Sequence, residues 1–194
     1  MLRIRNSRTS LLAAGMLALM GSMAGASPIQ YEQTMTATGT LNGSAFTSAI
    51  VEFIVSGDTS SVTFNSGDYN SSATSTETAT ITGQGTVTVT DTGPYAFCNP
   101  TSGIVGISDG VVGDYLDFSN PGFIGYHMAT PIGPFSSGGG FTSLGENIST
   151  SGGTLHLTST TGTESFQATP EPATPALLFG IGSLALLRRR RPLQ

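Results

Sequence analysis

The sequence predicts an all-β fold, an antiparallel β-sandwich of jelly-roll-like type over residues 27–168, flanked by an N-terminal segment (residues 1–26) and a C-terminal tail (residues 169–194) with a short hydrophobic helix. Three observations predict it. Threonine alternates with Val, Ile, Ala or Met at the period of a strand, as in Thr78-Ala79-Thr80-Ile81-Thr82 and Thr86-Val87-Thr88-Val89-Thr90. No interval between Ser27 and Thr169 carries a helical stripe. Glycine-rich punctuation cuts the chain into many short runs, which favours a sandwich over an open barrel.

At the N-terminus Arg3, Arg5 and Arg8 precede an apolar run over residues 11–20, and Ala24-Gly25-Ala26 ends the segment. A basic start, a short apolar core and an Ala-x-Ala site make a secretory signal peptide, cut after Ala26 by signal peptidase once the Sec export machinery has engaged it. Strands are expected over residues 31–38, 49–55 and 61–64, then at 78–82 and 86–90 around Gly83-Gln84-Gly85. Residues 104–108, 114–118, 153–159 and 164–168 supply the rest. Residues 119–145, rich in Gly and Pro, read as a long surface excursion.

The tail has a different logic. Pro170-Glu171-Pro172 is followed by twelve uncharged residues, 176–187, and then by Arg188, Arg189, Arg190 and Arg191. As a helix the uncharged run rises about 18 Å, short of the roughly 30 Å hydrocarbon core of a bilayer. It suits a temporary anchor in the inner membrane. The arginine block keeps its end cytoplasmic and leaves everything before Pro170 outside.

Triplet, apolar run and basic end, in that order, resemble the PEP-CTERM sorting signal of Gram-negative bacteria. Pro170, Glu171 and Pro172 match the triplet; Leu177, Leu178, Phe179, Leu184, Leu186 and Leu187 match the membrane helix; Arg188 to Arg191 match the basic end. Thr169 stands where an apolar residue is frequent, and Pro192-Leu193-Gln194 trails beyond. The resemblance covers about an eighth of the chain. It implies recognition by a membrane-embedded exosortase that cuts near the triplet and passes the protein to the cell surface or beyond.

Charge narrows the partners. All seven Lys and Arg residues are arginines of the two end segments, while all twelve carboxylates lie between them. The exported domain, with a net charge near minus eleven once Glu171 leaves with the tail, can form no Lys or Arg ion pair. Such a field repels nucleic acid, anionic lipid and acidic polysaccharide. Phosphate-handling enzymes need cationic clamps or a metal, so that class is disfavoured. With one cysteine, Cys98, no intrachain disulfide can form.

Three candidate sites remain in the domain. Gly106-Ile107-Ser108-Asp109-Gly110 matches G-x-S-x-G, but a nucleophile elbow needs a helix after the serine, and Val111-Val112-Gly113-Asp114 reads as a turn leading into another strand. His127 and His156 show no ligand spacing, and His156 between Leu155 and Leu157 reads as an outward strand residue. Asp109, Asp114 and Asp117, joined by Gly110 and Gly113, could offer oxygens to calcium, though their spacing fits no known loop; solvated turn acids are the plainer reading. No catalytic residue and no cofactor are expected. The expected function is a non-enzymatic surface or matrix protein associated with exopolysaccharide. The alternative is a carbohydrate-binding module, for which Tyr69, Tyr95, Tyr115 and Tyr126 are the stacking candidates, or a secreted hydrolase.

Overall fold

The computed structural model describes residues 27–71, 76–109, 113–138 and 145–171. The expected signal peptide with Ala24 and Ala26 lies outside the described residues. So do Pro172, the membrane run with Leu177, Leu178, Phe179, Leu184, Leu186 and Leu187, and the block Arg188, Arg189, Arg190 and Arg191. Twelve strands occur among the described residues: β1 Pro28–Leu41, β2 Ser44–Asp58, β3 Thr63–Asn65, β4 Asp68–Asn70, β5 Thr76–Ile81, β6 Gly85–Thr88, β7 Tyr95–Asn99, β8 Ile104–Asp109, β9 Gly113–Ser119, β10 Ile132–Gly138, β11 Asn147–Thr150 and β12 Gly153–Pro170. The only helical pieces among them are the 3-10 turns Thr59–Ser61 and Pro121–Phe123.

The strands form two antiparallel sheets. One has the order β10-β12-β1-β2-β5-β6, with β11 also on β12; the other runs β3-β4-β7-β8-β9. The chain crosses between them four times, after β2, β4, β6 and β9. Hairpins account for the rest except the link from β10 to β11, two strands that each pair with β12. Between β1 and β2 the two turn residues Asn42 and Gly43 both take positive φ, 48° and 79°, the twist that joins antiparallel strands without splaying them. Asn42-Gly43-Ser44, a formal glycosylation sequon, is therefore the turn of the longest hairpin.

Strand β1 sets the inner face. Ile29, Tyr31, Gln33, Met35, Ala37 and Leu41 point inward and are buried, while the threonines between them form the half-exposed outer face. Along β2 the buried set runs Phe46, then Ala49, Val51, Phe53 and Val55, a change of parity. A bulge makes it: Ser48 at φ 48° donates its amide to Thr38 Oγ1 at 3.1 Å, where the pairing slips between Ala37 and Gly39. Residues 153–159 and 164–168, read separately from the sequence, belong to the single strand β12, which bends at slips opposite Thr34/Thr36 and Thr38/Gly39.

Both sheets contribute to one core. The stretch expected as a surface excursion is a correction: Phe123, Tyr126 and Met128 are buried in that core, and residues 132–138 form β10 against β12. Phe123 meets Phe118, Phe135 and Phe166 edge-on at 5.7, 5.1 and 5.4 Å between ring centres. Polar anchors hold the segment there. Tyr31 Oη donates to the Met128 carbonyl at 2.7 Å and Tyr126 Oη to that of Thr130 at 2.8 Å. Cys98 is buried as well, its thiol pushed up to about 12 by burial and by Asp68, which leaves no exposed sulfur for pairing between chains.

One inward residue conflicts with its surroundings. Gln33 is fully buried, paired across the sheet with Phe53 and Phe166, and neither of its amide atoms has a hydrogen-bond partner among the described residues. An unmade buried hydrogen bond costs about 1–3 kcal/mol. Gln33→Met keeps the shape and removes the polar atoms, so it should stabilise the domain by about 1–2 kcal/mol. A urea midpoint that falls in the variant would show that the amide is satisfied after all.

Charge is the second conflict. Asp117, half-buried on β9, has its carboxyl pushed up to about 6, by burial first and then by Asp114, Asp68 and Glu164. Glu52 is raised in the same way, by burial and by Glu32 on the neighbouring strand. Because the folded carboxyl binds its proton more tightly than the unfolded one, the ionised form opposes folding. That opposition is complete above about pH 6 and vanishes below the ordinary carboxylate range. Melting temperature should therefore rise between pH 7.5 and pH 5, and rise with sodium chloride at pH 7.5 as like charges are screened. Asp117→Asn should add on the order of 1 kcal/mol at pH 7.5 after allowance for solvent screening, and about half of that at pH 5. Melting that falls on acidification in the parent, or is unchanged by Asp117→Asn at both pH values, would remove the carboxylate repulsion from the account.

Candidate functional site

The two ends of the sandwich lie side by side. β1 opens at Pro28, one residue beyond the expected signal-peptide cut, and β12 closes at Pro170, the first residue of the Pro-Glu-Pro triplet. Antiparallel pairing sets Ile29 against Pro170 and Gln30 against Thr169. The Glu171 amide continues the ladder with a 3.1 Å bond to the Pro28 carbonyl.

The first residues are themselves tied to the turn after β2. The Ser27 nitrogen donates to Thr59 Oγ1 at 3.1 Å, and the Thr59 amide returns a 3.0 Å bond to the Ser27 carbonyl. Asp58 caps that turn, accepting from the Ser60 amide at 2.7 Å. Beside it lies a mostly apolar cleft of about 220 Å³ lined by Ser27, Pro28, Ile29, Thr59, Ala129, Pro131 and Pro170. Thr59, Ala129 and Pro131 at this junction have no local sequence signal; only the strand pairing brings them to the triplet.

The other sequence candidates sit elsewhere. Ser108 lies inside β8, fully buried, and its hydroxyl donates to Tyr95 Oη at 3.0 Å. The next strand begins at Gly113 and Asp109 pairs with it, so a hairpin, not a helix, comes after the serine. Gly106 of the same motif has a packing reason: a Cβ there would stand 2.7 Å from the Phe97 ring and against the Leu116 carbonyl. The G-x-S-x-G match is thus strand packing, and the hydrolase signal attached to it is lost.

Among the described residues no three His, Cys, Asp or Glu side chains are placed to hold a metal ion. Asp109, Asp114 and Asp117 lie on the β8–β9 hairpin, with Asp109 buried, Asp114 exposed and Asp117 between the two. They form no metal-holding group. His156 faces outward as expected, between buried Leu155 and Leu157, with Nδ1 3.3 Å from Asn147 Oδ1.

His127 has a different setting. It stacks on Tyr69 at 4.7 Å, and Phe64, 60% exposed, also packs on the Tyr69 ring with 4.7 Å between centres. The β3–β4 hairpin makes this cluster. Its turn residues Ser66 and Gly67, both at positive φ, set Asn65 opposite Asp68 and Phe64 opposite Tyr69. Ser-Gly between two aromatic-bearing runs is its one signal in the sequence. Of the other tyrosines considered for stacking, Tyr126 is buried and Tyr95 is half-buried against Ser108; Tyr115 lies in β9.

No curated protein and no solved structure matches the chain. The model of one family, the PEP-CTERM protein-sorting motif, matches residues 168–191. That span starts at Ala168, the last buried residue of β12, and ends with the arginine block. The chain thus carries the PEP-CTERM protein-sorting motif at the end of an all-β domain, which marks it as an exosortase-sorted extracellular protein.

Proposed function

We propose that the sandwich is a non-enzymatic structural component of the cell surface or extracellular matrix, delivered by the exosortase and retained with neutral exopolysaccharide. The observation that carries this reading is the continuity of domain and motif. One sandwich fills the chain from Ser27 to the triplet, and its two ends emerge together, so removal of both end segments leaves one finished unit. The charge fits a passive role among neutral polymers. The unit has no Lys or Arg, and the threonine-rich outer face of the larger sheet offers hydroxyls in place of cationic clamps. During export the route runs through the Sec machinery and signal peptidase, then through transient anchoring in the inner membrane.

A second reading, carbohydrate binding, is favoured by the Phe64, Tyr69 and His127 cluster. Sugar rings stack their C–H faces on exposed aromatic rings, and Asn65 and Asp68 on the same hairpin could take hydroxyl hydrogen bonds. Affinity electrophoresis through gels containing hydroxyethyl cellulose separates the two. A structural protein migrates as it does in the plain gel. Retardation that disappears in Phe64→Ala, with an unchanged melting temperature, would replace the structural reading by the binding one.

Sorting itself has a sharp readout in trypsin. Once both end segments are gone, the released protein contains no Lys or Arg and should survive trypsin uncut, whereas the precursor is cut at both ends. Intact mass in a host with the exosortase and in one lacking it completes the test. The same mass in both hosts, still including the arginine block, would make the tail a plain anchor.

A further inference from the structure

The strand pairing at the triplet limits where the tail can be removed. A protease takes its substrate as an extended segment with the backbone free on both sides, so residues held in a sheet must first be peeled away. At Ala168 the backbone of β12 is flanked on both sides, by Tyr31 of β1 and by Ile132 of β10. Thr169 and Pro170 remain paired with Gln30 and Ile29, and the Glu171 amide is bonded to Pro28.

Peeling would not stop at these bonds. Ile29 and Ala168 are each 1% exposed, and the segment that β12 would leave is tied through Pro28 and Ser27 to Asp58 and Thr59. Opening the end of β12 therefore uncovers core. The first amide bond beyond the described pairing is Glu171–Pro172.

From these contacts we infer that the sheet sets the upstream limit of processing, and that the tail is removed at Glu171–Pro172 or a later bond. This rests on the sorting reading. The amide C–N bond breaks, the tail leaves with the new amino group, and the carbonyl carbon of the domain's last residue takes water or an amine nucleophile. Only the four residues 172–175 separate Glu171 from the apolar run, a reach of at most about 14 Å at roughly 3.3–3.6 Å per residue. The enzyme thus works in a gap bounded by membrane on one side and by the rim of Ser27, Thr59, Ala129 and Pro131 on the other. The mature domain keeps Pro170 and Glu171, and with them all twelve carboxylates.

The test is the C-terminal residue of the released protein, read by intact mass and by the terminal peptide from a Glu- or Asp-directed digest, in hosts with and without the exosortase. A C-terminus at Glu171 or beyond, only in the host with the enzyme, is expected. A released form ending at Pro170 or earlier overturns the limit while leaving the sorting reading intact. No difference between hosts removes the sorting reading itself. An indiscriminate protease tests the sheet separately: proteinase K acting on the purified full chain should leave a limit product that ends at Glu171 or later. A limit product ending at Thr169 or earlier would show that the pairing gives no protection.

Discussion

Pairing of the first strand with the last is the interaction on which the rest of this structure depends. β1 is bonded along its length to β2 on one side and β12 on the other, from Ile29 against Pro170 to Leu41 against Leu155. Its inward residues supply the centre of the core, and its partner β12 carries Phe166, on which the Phe123 cluster rests. Contacts between chain ends about 140 residues apart are slow to form and add nothing until both are present. The fold is therefore complete only when the segment leading into the sorting motif has been exported and paired.

That closure places the start of the sorting motif beside the N-terminal edge of the sandwich. The same antiparallel ladder that covers Ile29 and Ala168 brings Ser27 and Glu171 together, so the start of the sorting motif shares a rim with the first described residue.

The acidic composition acts against the same fold. With every arginine in the end segments, the eleven carboxylates of residues 27–168 have no Lys or Arg to oppose them, and burial of Asp117 beside Asp114, Asp68 and Glu164 raises its proton affinity. Stability then comes from apolar burial and from the backbone ladders, with charge as a cost that salt or mild acid reduces.

The residues alone determined the all-β class, the position of most long strands and the address. Period-two threonine patterning reports on one chain segment at a time, and the triplet, apolar run and arginines act through local properties of hydrophobicity and charge; all of these are legible without a fold. What the tertiary structure decided depends on contacts between distant segments. Residues 119–131 send Phe123, Tyr126 and Met128 into the core, where they meet Phe166 and Tyr31 across the sandwich, which glycine and proline content could not report. Ser108 lost its catalytic look because its chain continues into a hairpin partner and not a helix, and Phe64 joined Tyr69 and His127 only through a two-residue turn and a loop from elsewhere in the chain. Pro170 and Glu171 are letters of an address in the sequence; in the sheet they are also the last paired residues among those described, because strand register is set by the whole ladder and not by any residue in it.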